Sequence, residues 1–148
     1  MGAHYFRWIL AVSVSMTSSW GLSAELISLK EAKLPEASGS LKTRGITRGP
    51  AIKVSSPDLT ASEIKSPFDL KVLFESRGGN KVDPNAVKVS YLKSTEVDLT
   101  PRLQGAITAG GIDFSKAEVP PGEHAIKITV KDVDGRESST VINLNVAK

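Results

Sequence analysis

No cysteine occurs in the 148 residues, so an exported form of the chain has no disulfide to lean on, and lipid attachment at a processed cysteine is excluded. Aromatic residues make up only 5% of the chain, and Trp, Met and His number two each. Their placement deepens the shortage. Trp8, Trp20, Met1, Met16 and His4 all fall within the first 24 residues, which leaves His124, Tyr91, Phe68, Phe74 and Phe114 for everything that follows. A copper carrier draws its ligands from Met and His, and one His without a Met excludes that class beyond residue 24. A sugar-binding platform needs aromatic faces turned to solvent, whereas each Phe here shares the parity of core residues. Charge of one sign is missing too: 19 basic residues stand against 16 acidic ones, interspersed, for a net charge of +3. With no basic block and no aromatic interleaving, neither a nucleic-acid footprint nor a polybasic membrane footprint is present.

Long apolar runs are also absent. Arg7 precedes the run WILAVSVSM at 8–16, after which the chain turns to Thr, Ser and Gly. That pattern predicts a secretory signal peptide over 1–24. The run is shorter than the about 20 residues that a membrane helix needs, no second run of that length follows, and no membrane span is expected. Cleavage is placed after Ala24, with Ser23 and Gly21 as chemically equivalent alternatives. The expected location is periplasmic or secreted.

Residues 25–49 carry Leu26, Ile27 and Leu29 and then EAKLPEASGSLKTRGITRG, with no sustained period of either kind. They read as a flexible arm or linker, with one weak amphipathic turn over 26–34 stopped by Pro35 and Gly39. Period-two alternation starts at Pro50. Ile52 and Val54 share one parity, and Phe68, Leu70, Val72 and Phe74 alternate with Asp69, Lys71, Leu73 and Glu75, which predicts a half-buried strand. Arg77-Gly78-Gly79-Asn80 ends it. Asp83-Pro84 caps a helical turn before a strand with Val87, Val89 and Tyr91, and Thr100-Pro101 repeats the device. Shorter strands are expected at 103–108 and 112–114.

The last 30 residues give the strongest signal. After Pro120-Pro121-Gly122, the residues His124, Ile126, Ile128 and Val130 share one parity. Thr140, Ile142, Leu144 and Val146 share another beyond a turn at 132–136. The chain thus ends in a long antiparallel hairpin. Seven or so short strands over residues 50–148 predict an all-β fold, an antiparallel β-sandwich.

The succession Val119, Gly122, His124, Ile126, Ile128, Val130, Asp132, Gly135 resembles the end of bacterial immunoglobulin-like domains of the fibronectin type III or cadherin-like kind. In these a turn Gly precedes an aromatic or His on the penultimate strand, and an Asp-x-x-Gly turn leads into the last. The Ser66-Pro67-Phe68 start of a strand is common there as well. The resemblance covers 50–148. Arg136 stands where Asn is frequent, and the disulfide and core Trp of antibody domains are missing, so antigen-receptor kinship is excluded. The resemblance implies an immunoglobulin-like sandwich and no single function, since that fold hosts adhesins, spacers, accessory domains and secretion partners.

Three places invite chemistry. Asp132, Asp134 and Gly135 form a D-x-D-G turn, a weak metal candidate because calcium takes about six to eight oxygens and only Glu137 lies near to add to them. The reading preferred is a structural turn, with Asp132 bonding local backbone and Gly135 at positive φ. His124 has the parity of Ile126 and reads as a hydrogen-bonded packing residue; a small hydrolase using His124 and Asp132 lacks a nucleophile in any elbow pattern. The pairs Asp69 with Glu75 and Glu96 with Asp98 fall on solvent faces. No catalytic residue and no cofactor is assigned. The expected function is that of a non-catalytic binding or scaffold module contacting another protein of the envelope or extracellular space. The alternatives are a calcium-stabilised adhesion domain or, less favoured, that hydrolase.

Overall fold

The computed structural model describes residues 24–38 and 48–148. The signal peptide expected over 1–24 lies outside the described residues except for Ala24. In chain order the elements are β1 (Ala24–Glu25), the helical turn α1 (Leu29–Ala32), β2 (Ala51–Ser56), β3 (Phe68–Glu75), β4 (Lys88–Tyr91), β5 (Val97–Asp98), the helical turn α2 (Thr100–Leu103), β6 (Ile107–Thr108), β7 (Gly111–Glu118), β8 (Gly122–Lys131) and β9 (Glu137–Val146). Single 3-10 turns occupy Pro84–Ala86 and Gln104–Ala106.

These strands form two sheets and an all-β sandwich. One sheet runs β1–β7–β3–β2 with β6 also on β7, and the other runs β5–β4–β8–β9. Alternation decides which side chains meet between them. Phe68, Leu70, Val72 and Phe74 of β3 are buried while Asp69, Lys71, Leu73 and Glu75 are exposed. On β8 the parity of His124, Ile126, Ile128 and Val130 is buried, and on β9 that of Ile142, Leu144 and Val146. A β-strand places successive side chains on opposite faces, so the register of each strand follows directly from its apolar set. The β8–β9 hairpin keeps unbroken register from Lys131↔Glu137 to Gly122↔Val146.

β3 and β7 approach unusually closely at Gly111, where an added Cβ would stand 1.9 Å from the carbonyl oxygen of Val72. No other residue fits there, which accounts for glycine at position 111, where β7 begins. That strand then runs on to Glu118, well past the 112–114 expected.

The strand expected at 103–108 is mostly something else. Leu103 ends α2 fully buried, residues 104–106 form the 3-10 turn, and only Ile107–Thr108 pair as strand. Pro101 at the start of α2 supplies a helical φ without needing its missing N–H. The N-cap is Leu99, which has no side-chain cap, and the Asp98 carboxylate just before it accepts from Thr100 N at 3.0 Å. Thr100 itself ties the turn to β4: its hydroxyl accepts from Val89 N at 2.9 Å and donates to Val89 O at 3.3 Å. Asp83 does cap its 3-10 turn, accepting from Asn85 N at 2.9 Å.

The largest correction concerns the arm. Residues 24–36 are built into the sandwich as a strap across one end. Leu26 and Ile27 are 0% and 1% exposed and belong to the hydrophobic core. Hydrophobic burial outweighs the missing periodicity: two large apolar side chains removed from water contribute about 1.5–3 kcal/mol each. That meets only part of the cost of ordering the segment, about 1–2 kcal/mol per residue, and the strap's ladder, cap and ion-pair contacts add to it. Residues 39–47 of the expected arm lie outside the described residues.

Candidate functional site

The strap crosses from one sheet to the other, and each of its anchors is a specific contact. β1 pairs in parallel with the end of β7, Ala24↔Ala117 and Glu25↔Glu118, and Leu26 N donates to Glu118 O at 2.9 Å. Ala24, read as the last leader residue, is part of that ladder. α1 carries a capping box: Ser28 Oγ accepts from Glu31 N at 3.3 Å, and the Glu31 carboxylate accepts from Ser28 N at 2.9 Å. Arg102 on α2 then reaches across. Its guanidinium donates to both Glu31 carboxylate oxygens, at 2.8 and 2.5 Å, and to Leu26 O at 2.7 Å. The paired guanidinium holds the Glu31 carboxyl down at about 2. At the strap's far end Ser94 N donates to Pro35 O at 2.8 Å and Glu36 pairs with Lys93.

Lys93 is the unexpected residue here. Its side chain is 3% exposed, whereas that of its partner Glu36 is 80% exposed. Its ammonium also stands 5.5 Å from the centre of the Tyr91 ring, a cation–π distance. Burial works against the charge, but Glu36 and the Tyr91 hydroxyl together outweigh it and the Lys93 pKa is raised. Beneath lies His124, 3% exposed. Its Nε2 is 2.7 Å from Pro120 O and its Nδ1 is 2.8 Å from the Tyr91 hydroxyl. A carbonyl oxygen only accepts, so Nε2 carries the proton and Nδ1 accepts from Tyr91. Burial lowers the His124 pKa and raises that of Tyr91. With both nitrogens engaged, His124 acts as a packing residue. Among the described residues no hydroxyl or thiol other than Tyr91's is hydrogen-bonded to it, and Asp132 is on the turn beyond the other end of β8. The geometry does not bring the hydrolase pair together.

Beside the strap opens a cleft of about 570 Å³, lined by residues including Ile27, Leu29, Ser66, Pro121 and Lys148. Leu29, at 65% exposure, is on its lip.

The β8–β9 turn places Asp132 as a backbone clamp. Its carboxylate accepts from Asp134 N at 3.0 Å and Arg136 N at 2.9 Å, and Gly135 turns the chain at φ 79°. Asp134 faces Asn80, which donates to it, and Arg136 Nη2 at 3.7 Å. Asp132 thus spends an oxygen on backbone, and Asp134 is shared by two donors. Among the described residues no group of three or more His, Cys, Asp or Glu side chains is arranged to hold a metal. Of the solvent-face carboxylates, Asp69 accepts from Lys116 N at 3.0 Å and Glu75 pairs with Lys53 at 2.7 Å. Glu96 is 3.9 Å from Lys88, and Asp98 accepts from Thr100 N at 3.0 Å at the start of α2.

The other notable surface is the outer rim of β9, the terminal strand of its sheet. From Ser138 to Ala147 there is no charged residue. Asn145 O accepts from Ile64 N at 2.7 Å and Ala147 N donates to Ile64 O at 2.9 Å. Backbone groups alternate sides along a strand, so Ser139, Val141 and Asn143 turn their N–H and C=O the same way. Ile64 covers one end of this rim, and Gly49 lies against Glu137 and Ser138 at the other.

Sequence reasoning placed His124 and the Asp132 turn correctly but missed Glu31, Arg102, Lys93 and Glu36. One signal was available: Ser28-Leu29-Lys30-Glu31 is a capping-box sequence. No protein-family model matches the chain, and neither a curated protein nor a solved structure matches it. No helix among the described residues is long and apolar enough to cross a membrane.

Proposed function

We propose that the chain is an exported, non-catalytic binding module with an immunoglobulin-like sandwich, and that it takes an extended segment of another envelope protein along the rim of β9. Strand order supports the fold reading. β2, β3, β7 and β6 take the places of strands A, B, E and D, and β4, β8 and β9 those of C, F and G, with β5 added beside C. The apolar run at 8–16 behind Arg7 supports export.

The observation that carries the binding reading is the uncharged edge. Exposed edge strands offer unpaired backbone groups, and proteins ordinarily blunt them with charge, Pro or a bulge. β9 has ten paired residues on its inner side and none of these devices from Ser138 to Ala147. A short partner strand adds main-chain hydrogen bonds at Ser139–Asn143, with Val141 as the apolar contact.

The test is Val141→Pro. The Val141 N–H points away from β8, so Pro there leaves the hairpin ladder intact while removing a donor from the rim. Partner capture from envelope extract is expected to fail with Val141→Pro and to survive Glu96→Ala, on the opposite margin of the sheet. Capture unchanged by Val141→Pro would overturn the edge assignment. Turnover of a substrate that is lost in folded His124→Ala would overturn the non-catalytic reading.

A further inference from the structure

We propose that protonation of His124 loosens the far half of the strap, so that the covered end of the sandwich is a pH-responsive latch. Four groups from separate parts of the chain form one line of contacts: His124 on β8, Tyr91 on β4, Lys93 just beyond β4 and Glu36 on the strap. The neutral imidazole suits this line because Nδ1 is bare and the Tyr91 hydroxyl donates to it at 2.8 Å.

A proton arriving from solvent takes up the lone pair of Nδ1. Tyr91 can then no longer donate there, and its hydroxyl has to rotate to present oxygen. The new charge appears at a site with 3% exposure, and the charged groups acting on it are Lys93, which opposes it, and Glu36, which favours it. Tyr91 is faced by the same two and by Glu31, while the β9 residue in register with His124 is the apolar Leu144. Two cations now compete for one Glu36. Lifting Lys93 away from the Tyr91 ring toward water relieves the conflict, and Lys93 carries Glu36, Pro35 and the Ser94 hydrogen bond with it.

The near half of the strap stays in place. Glu31 is held at about 2 by Arg102, so that clamp remains ionised through the range in which an imidazole titrates. Because burial depresses the docked His124 pKa below its ordinary 6.5, the loosened form binds more protons than the docked one. Docking is therefore fully favourable above about 6.5 and weakens as pH falls below it, until the docked pKa is passed.

The experiment follows the His124 ring resonances and the amide exchange of Ser94 and Leu26 in the same protein from pH 7.5 to 4.5. His124 is expected to titrate below 6.5. Ser94 exchange, corrected for its intrinsic pH dependence, should rise by up to about tenfold per pH unit through that titration, and Leu26, which bonds Glu118 O, should keep its protection. His124→Gln should abolish the Ser94 step, and Tyr91→Phe should shift the midpoint. Ser94 remaining protected while His124 titrates would overturn the proposal, as would His124 failing to titrate in this range. So would Ser94 and Leu26 opening together, or the step persisting in His124→Gln. If His124→Gln does not fold, the comparison of the two amides in the unmodified chain decides alone.

Discussion

The β8–β9 hairpin pairs residues that follow one another around a turn, from Lys131↔Glu137 outward to Gly122↔Val146. The strap pairs residues that are far apart: Glu31 with Arg102 across 71 positions and Glu36 with Lys93 across 57. The hairpin is held by a repeating ladder and a stripe of alternating apolar side chains, while the strap has two ladder pairs, two buried side chains and two ion pairs. Both end in the same core. A regular element reaches it by period, and an irregular one reaches it by a few contacts that are each costly to lose.

The most direct way to break this comparison is to delete the strap. A chain beginning at residue 37 should lose about 4 kcal/mol or more, since it forfeits the burial of Leu26 and Ile27 and leaves apolar neighbours to water. A denaturant midpoint within error of the full domain would show that the strap is an accessory after all.

Single truncations sharpen the point. Leu26→Ala on the strap and Ile128→Ala on the hairpin should each destabilise by about 2–5 kcal/mol, because both side chains are 0% exposed. Chemical denaturation of the pair would separate the two regions if Leu26→Ala proved much milder.

Next in size is the clamp. Arg102→Met removes three charge-assisted hydrogen bonds and leaves the half-buried Glu31 without its main partner, for a loss of about 1–3 kcal/mol. Because Arg102 lowers the Glu31 pKa from 4.5 to about 2, its contribution is complete above 4.5 and disappears as pH falls toward 2. The stability gap between Arg102→Met and the parent should therefore narrow over that window; a gap constant from pH 6 to 2.5 would mean that the clamp is not electrostatic.

At the hairpin turn, Asp132→Ala frees two backbone N–H groups and should cost about 1–2 kcal/mol by thermal unfolding. Smallest is Lys71→Ala, on the solvent face of β3, expected within about 0.5 kcal/mol of the parent. A large loss there would shift every facing on that strand.

The sandwich was legible because its strands announce themselves locally. Phe68 to Phe74 and His124 to Val130 alternate strictly, and such alternation has one physical outcome when one face is dry. The strap was not legible, since Leu26 and Ile27 are adjacent residues that both end up buried, which fits neither a strand nor a helix stripe. Arg102 and Lys93 look like surface cations until their partners are placed. The same holds for the candidate site: the packing role of His124 followed from parity, but the Tyr91 hydroxyl, the Pro120 carbonyl and Lys93 reach it only through pairing of β4 with β8 and the turn before it. Residues 103–108 failed for a different reason, because apolar spacing there serves a short helical turn whose Leu103 plugs the core.

Lys93 has a chemical consequence of its own. Acylating reagents modify amines that they can touch, and among the described residues Lys93 is the buried lysine. In the docked state it should be the laggard of the set, acquiring label only as the segment above it lifts. Its labelling rate is thus a built-in reporter, readable by mass spectrometry without any added probe, of how often that end of the molecule opens.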